Sequence, residues 1–172
     1  MGGMTKTLGM LLTLIILGLP KTNAEAREEK EAKILNVKMD AEIQQEVYDL
    51  CEANCIDFCL IMAIIKTESS FRSYVVSGSE CYGLMQIHKI NHKMLEKNLG
   101  ITDILDPIQN VKSGIYILRN LFDEYDDVGM VLMAYNMGEN AAKKKWDKGI
   151  YSTSYTEKVL GYQEEFYKEL GW

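Results

Sequence analysis

From Asp40 onward the chain carries Ile43, Val47 and Leu50 three to four residues apart, separated by Glu, Gln and Asp. That spacing predicts a helix with one buried face. Asn54, tolerant of left-handed backbone angles, should end it, and Asp57 should cap the next helix. The run Ile61-Met62-Ala63-Ile64-Ile65 is apolar on every side, so this second helix is predicted to be buried. It closes on Lys66-Thr67-Glu68, where a carboxyl meets a Ser-containing loop. Tyr74-Val75-Val76 followed by Ser77-Gly78-Ser79 reads as a short β-type stretch and a turn, hence a small hairpin. Asp106-Pro107 supplies an N-cap and a first-turn proline for a helix carrying Val111, Ile115, Leu118 and Phe122 on one face. Val128 to Tyr135 predicts a short, very apolar, central helix. Ser154-Tyr155-Thr156-Glu157 is a capping-box pattern that should open the last one. There is no internal repeat and no sign of a second domain. The expected fold class is α+β, predominantly α.

The N-terminal segment follows a different pattern. Lys6 precedes an apolar stretch of 12 residues, Leu8 to Leu19, then Pro20 and a small-residue approach through Thr22-Asn23-Ala24. A membrane span needs about 20 apolar residues. Residues 1–24 are therefore expected to be a signal peptide cleaved after Ala24 or Ala26, and the protein to be exported to a periplasmic, wall-associated or extracellular site. No Cys follows closely enough to suggest a lipoprotein anchor. Residues 25–39, rich in Ala, Glu, Lys and Arg at their start, are expected to form a charged, mobile tether, with the folded domain spanning 40–172. The formal charge of −6 becomes two units more negative once Lys6 and Lys21 leave with the signal peptide. That sign disfavours nucleic acid as a partner.

The four cysteines, Cys51, Cys55, Cys59 and Cys81, are an even set in an exported chain, so disulfides are expected. Three pairings are open, and so are free, buried thiols. His88 and His92 stand four apart, but no Glu follows His88 as in a metalloprotease helix, and no metal or other cofactor is expected.

Glu68 carries the chemistry. A carboxyl held against apolar neighbours has its charged form disfavoured, so it can lend and reclaim a proton near neutrality, as glycosidic cleavage requires. A Glu at a helix end is also an ordinary solvated residue, and its company decides between the two. Glu68-Ser69-Ser70-Phe71, Ser77, Gly83-Leu84-Met85-Gln86, Ala134-Tyr135-Asn136-Met137-Gly138 and Tyr155 follow one another. In order and spacing, over roughly residues 40–165, they resemble the lytic transglycosylase (SLT-type) domain of the lysozyme-like superfamily.

The resemblance implies a lysozyme-like fold with a small β-hairpin beside the catalytic helix. It implies an enzyme cleaving the MurNAc-β-1,4-GlcNAc bond of peptidoglycan with formation of 1,6-anhydro-MurNAc ends, Glu68 serving as general acid and then base. Ser69 and Ser77 would support the acid or the substrate, Met85 and Gln86 would line the cleft, and the hydroxyl of Tyr155 would reach the Glu68 carboxylate. Tyr135 and Asn136 offer a phenol and a carboxamide to N-acetyl and hydroxyl groups. The chain departs from the family pattern at Glu80, Cys81 and His88-Lys89, where Gly, Ala and a nearby Pro are usual. A hydrolase would need a second carboxylate, for which Glu80, Asp103 and Asp106 are the candidates. A non-catalytic wall-binding component is the remaining alternative. The expected setting is a monomer acting on glycan strands, either alone in wall remodelling or opening the wall for a secretion, conjugation, pilus or phage assembly.

Overall fold

The computed structural model of the protein describes residues 34–172. Helix α1, Ala41–Ala53, buries Val47, Tyr48 and Cys51 on the face the apolar spacing marks. Its end differs in one detail from expectation. Asn54 keeps an ordinary negative φ of −106°, and Cys55 takes the left-handed turn at φ 50°. Helix α2, Phe58–Ser69, begins where Asp57 Oδ1 accepts the Leu60 amide at 2.6 Å, and Phe58 through Ile65 are all buried. Such burial contributes about 1.5–3 kcal/mol for each large aliphatic side chain. The helix ends at Ser70 in the left-handed region, φ 52°.

Between α2 and the next long helix the predicted hairpin exists, but its strands lie elsewhere. Strands β1, Cys81–Tyr82, and β2, Ile87–His88, pair antiparallel with Cys81 opposite His88 and Tyr82 opposite Ile87. The Tyr74–Val76 stretch contributes only an isolated bridge from Val76 to Tyr82. The β-propensity of Tyr74-Val75-Val76 was a weaker guide than the turn formed by Gly83-Leu84-Met85-Gln86. Gly83, at φ 76°, and Gln86, at φ 49°, both need left-handed backbone there, which Gly adopts freely and Gln does not.

A 3-10 turn, Lys89–Asn91, leads into α3, His92–Leu99. Helix α4, Pro107–Glu124, has the expected cap, Asp106 accepting from Gln109, and buries Val111, Ile115 and Leu118. Phe122 is only partly buried. Helix α5, Val128–Met137, is central, with Val131 through Ala134 buried. It is followed by α6, Glu139–Trp146, and α7, Ser154–Leu170. Helices α3 and α6 were not foreseen. Each buries only one or two side chains, Leu95 in the first and Ala142 with Trp146 in the second, too few to leave a helical stripe in the sequence. The capping box of α7 is present one residue earlier than the pattern suggested, joining Thr153 and Thr156 rather than Ser154 and Glu157.

Helix α2 packs most extensively on α7, which runs back along it. Asp57 accepts from Gln163 Nε2 at 2.9 Å and from the Tyr167 hydroxyl at 2.7 Å. Near the other end Lys66 pairs with Glu165 at 3.0 Å and lies 3.7 Å over the Tyr162 ring.

Two expectations need correction. Residues 34–39 do not belong to a free tether. Leu35 is 2% exposed, and Gln44 grips its backbone at both N–H and C=O. The Asn36 amide also reaches Glu169 of α7 at 2.6 Å. The signal-peptide reading of 1–24, and the charged segment to residue 33, lie outside the described residues. The second correction concerns the cysteines, all four of which are free thiols. The helix-turn-helix directs Cys51 and Cys59 into the core and Cys55 to solvent, while Cys81 sits apart in β1. Burial pushes the Cys59 thiol up to about 12 and Cys51 higher still, so neither readily forms a reactive thiolate. Among the described residues, no helix is long and apolar enough to cross a membrane.

Candidate active site

The C-terminal end of α2, the β-hairpin, the end of α5 and the start of α6 surround a cavity of about 630 Å³. Glu68 lines it from the last turn of α2. Its Oε1 accepts a hydrogen bond from the Tyr155 hydroxyl at 2.7 Å. Burial raises the Glu68 pKa, while the Tyr155 bond and the charge of Lys158 pull it partly back. The net displacement is upward, towards a carboxyl protonated at higher pH. Tyr155 is locked as a donor, because burial and the neighbouring Glu68 charge drive its own pKa far up. The Thr153–Thr156 cap fixes the first turn of α7 and so aims this side chain.

Tyr135 and Asn136 both line the cavity at the end of α5. The Tyr135 hydroxyl donates to the Met85 carbonyl at 2.8 Å, which commits its proton and leaves its oxygen as an acceptor. Asn136 is exposed, and α5 stops one residue beyond Met137 at Gly138, φ 78°. Gln86 lines the cavity with its Nε2 donating to Gly83 O at 2.9 Å and Val75 O at 3.3 Å. Ser77 also lines it, its Oγ accepting the Cys81 amide at 3.1 Å and sharing a hydrogen bond with Ser79 at 3.0 Å.

Two residues singled out in the sequence stand behind the wall rather than on it. Met85 is 0% exposed, its thioether seated against Gly114, where an added Cβ would lie 2.3 Å from Sδ. Ser69 is 1% exposed and its hydroxyl donates to Ile65 O at 3.1 Å. Both follow from backbone geometry that a linear motif conceals: neighbours on a helix point about 100° apart, and neighbours in a turn diverge with its backbone angles.

None of the three carboxylates suggested as partners for Glu68 lines the cavity. Glu80 pairs with Lys89 at 2.6 Å on the surface. Asp103 accepts from the Leu105 amide and Asp106 caps α4. The second carboxylate in the cavity wall is Glu139, missed because α6 was not foreseen, although it directly follows Gly138 of the Ala-Tyr-Asn-Met-Gly segment. It accepts from the Tyr125 hydroxyl at 2.8 Å and lies 3.4 Å from Lys143, and these bonds hold its pKa below the ordinary carboxylate value. His88 also lines the cavity, with Nδ1 accepting from the Ile90 amide, whereas His92 lies edge-on to Tyr82 at 4.9 Å.

Residues 51–157 match the transglycosylase SLT domain family. Among curated proteins, the chain is 37% identical over 105 residues to a transglycosylase of Enterobacteria phage PRD1, covering 61% of this chain and 37% of the relative. It is 30% identical over 131 residues to membrane-bound lytic murein transglycosylase C of Haemophilus influenzae, covering 67% of this chain and 36% of that protein. The chain thus spans little more than a third of the length of these relatives. Its fold is similar to an inactive mutant of lytic transglycosylase Slt from Pseudomonas aeruginosa, with a TM-score of 0.64 at 20% identity, covering 73% of this chain and 24% of that one. The soluble lytic transglycosylase of Escherichia coli gives a TM-score of 0.61, also at 20% identity, over 76% of this chain and 26% of that one. The predominantly helical fold is similar to that of these structures, and the chain belongs to the transglycosylase SLT domain family.

Proposed function

We propose that the protein is an exported peptidoglycan lytic transglycosylase with Glu68 as its general acid and base. The observation that carries this reading is the pairing of Glu68 with Tyr155 at 2.7 Å in the wall of an open cavity, with burial raising the carboxyl's pKa. Protonated Glu68 donates to the oxygen linking MurNAc C1 to GlcNAc, and that C–O bond breaks. The carboxylate left behind is stabilised by the Tyr155 hydroxyl and takes the proton of the muramyl C6 hydroxyl. The C6 oxygen then bonds to C1 and closes the 1,6-anhydro ring, so no water is consumed and the acid is regenerated. The substrate N-acetyl group can shield the oxocarbenium-like centre, with no protein nucleophile required. Gln86, Tyr135 and Asn136 present acceptors and donors to the sugar.

Support for murein as substrate comes from the names of the relatives, and support for export from the apolar run Leu8 to Leu19. The phage PRD1 relative fits local wall opening for a phage or secretion-type assembly. A second reading, lysozyme-type hydrolysis, is favoured by one observation: the same wall holds a second carboxylate, Glu139, whose pKa is held below the ordinary value.

The test is mass spectrometry of fragments released from purified peptidoglycan by the protein and by Glu68→Gln. Anhydro-muropeptides, absent with the variant, are expected. Reducing ends would favour hydrolysis through Glu139, and sacculus binding without release would favour a wall-binding component.

A further inference from the structure

The turn that carries Gln86 is held by a helix far along the chain. Asn110 of α4 is fully buried, yet its side chain is not part of the cavity wall. Its Oδ1 accepts the Met85 amide at 2.8 Å, and its Nδ2 donates to Tyr82 O at 2.9 Å and Ile104 O at 2.8 Å. The fit is close, since a Cβ on Gly83 would stand 2.3 Å from Asn110 Nδ2. One helical turn on, Gly114 leaves the notch that the Met85 thioether fills. From the opposite side, Tyr135 of α5 donates to the Met85 carbonyl at 2.8 Å. Met85 is therefore clamped at its N–H, its C=O and its side chain by two helices. Directly after this clamp the chain takes φ 49° at Gln86, a conformation unfavourable for a residue with a Cβ. Gln86 Nε2 then turns back onto Gly83 O and Val75 O, and no described protein donor reaches its Oε1.

We propose that Asn110 is a positioning residue for the glycan site, holding the Tyr82–Met85 turn so that Gln86 presents its Oε1 to the cavity as a fixed acceptor. A buried side chain that satisfies two backbone groups of this turn and a third, Ile104 O, ahead of its own helix is poorly replaced, because removing it orphans the Met85 amide and two carbonyls. The consequence reaches the cavity through Gln86, whose backbone begins where the clamp ends. The inference rests on the cavity being the glycan site.

The experiment compares Asn110→Ala, Gln86→Ala and the double variant with the wild-type chain. Val47→Ala, in the core of α1, serves as a control for loss of stability alone. Amide exchange of residues 82–86, sacculus binding and product release are measured where circular dichroism shows each variant folded. Asn110→Ala is expected to speed exchange in 82–86 selectively and to weaken binding and release about tenfold. Adding it to Gln86→Ala should cost less than about twofold more, since both act through one side chain. Exchange that rises throughout the protein as in Val47→Ala, or losses that add fully in the double variant, would overturn the inference. A wild-type protein that binds sacculi without releasing anhydro ends would refute the reaction alone, with binding still deciding for Asn110. One that neither binds nor cleaves would overturn both.

Discussion

Glu68 sits where burial works against its charge and one phenol works for it, and the balance leaves its pKa above the ordinary 4.5. A folded-state pKa above the unfolded value means that the native state holds the proton more tightly. The associated stability is complete below pH 4.5 and is lost as the pH rises through the folded-state value. Glu68→Gln has no such proton to lose. The melting temperature of the variant, measured relative to wild type, should therefore climb as the pH rises above 4.5 and level off once the folded-state carboxyl has ionised. An offset constant across that range would show that Glu68 titrates normally in the fold. The same raised pKa was legible at the end of an apolar run, because Ile61 to Ile65 must be buried and their helix ends at the carboxyl. The role of Met85 was not legible in the same way. A motif places it beside Gln86, and only the turn's backbone angles send the two side chains to opposite sides of the wall.

The antiparallel pair α2 and α7 is the element that makes the site. Tyr155 meets Glu68 near one end, and Tyr167 with Gln163 meets Asp57 at the other. Asp57 also caps α2, so a single side chain fixes both the start of the helix and its partner's alignment. Asp57→Ala should cost roughly 2–4 kcal/mol in urea denaturation, the sum of a lost cap and two part-buried hydrogen bonds. A loss no larger than about 1 kcal/mol would mean that the cap alone matters. The cap was readable from Asp57 preceding an apolar run, but its ties to Gln163 and Tyr167 were not, because contacts 106 and 110 residues apart leave no local periodicity.

For the molecule as a whole, the short stretch before α1 is part of the fold. Leu35 enters the core and Asn36 bonds to Glu169 near the C-terminus, so the segment spans both ends of the described chain. Leu35→Ala is expected to destabilise the protein by about 2–5 kcal/mol by thermal or urea unfolding, and a near-neutral result would return this stretch to the tether. Local patterning was enough for what depends on nearest neighbours: the helices α1, α2, α4, α5 and α7, the Asp57 and Asp106 caps, and the segments that mark the family. These follow from burial periodicity and hydrogen-bonding side chains within a few residues. The tertiary structure alone decided which strands pair, that the cysteines are free thiols, and that Glu139 rather than Glu80, Asp103 or Asp106 shares the cavity wall with Glu68. Each of those outcomes turns on where two distant parts of the chain meet and which way their side chains point, and a one-dimensional pattern does not encode that.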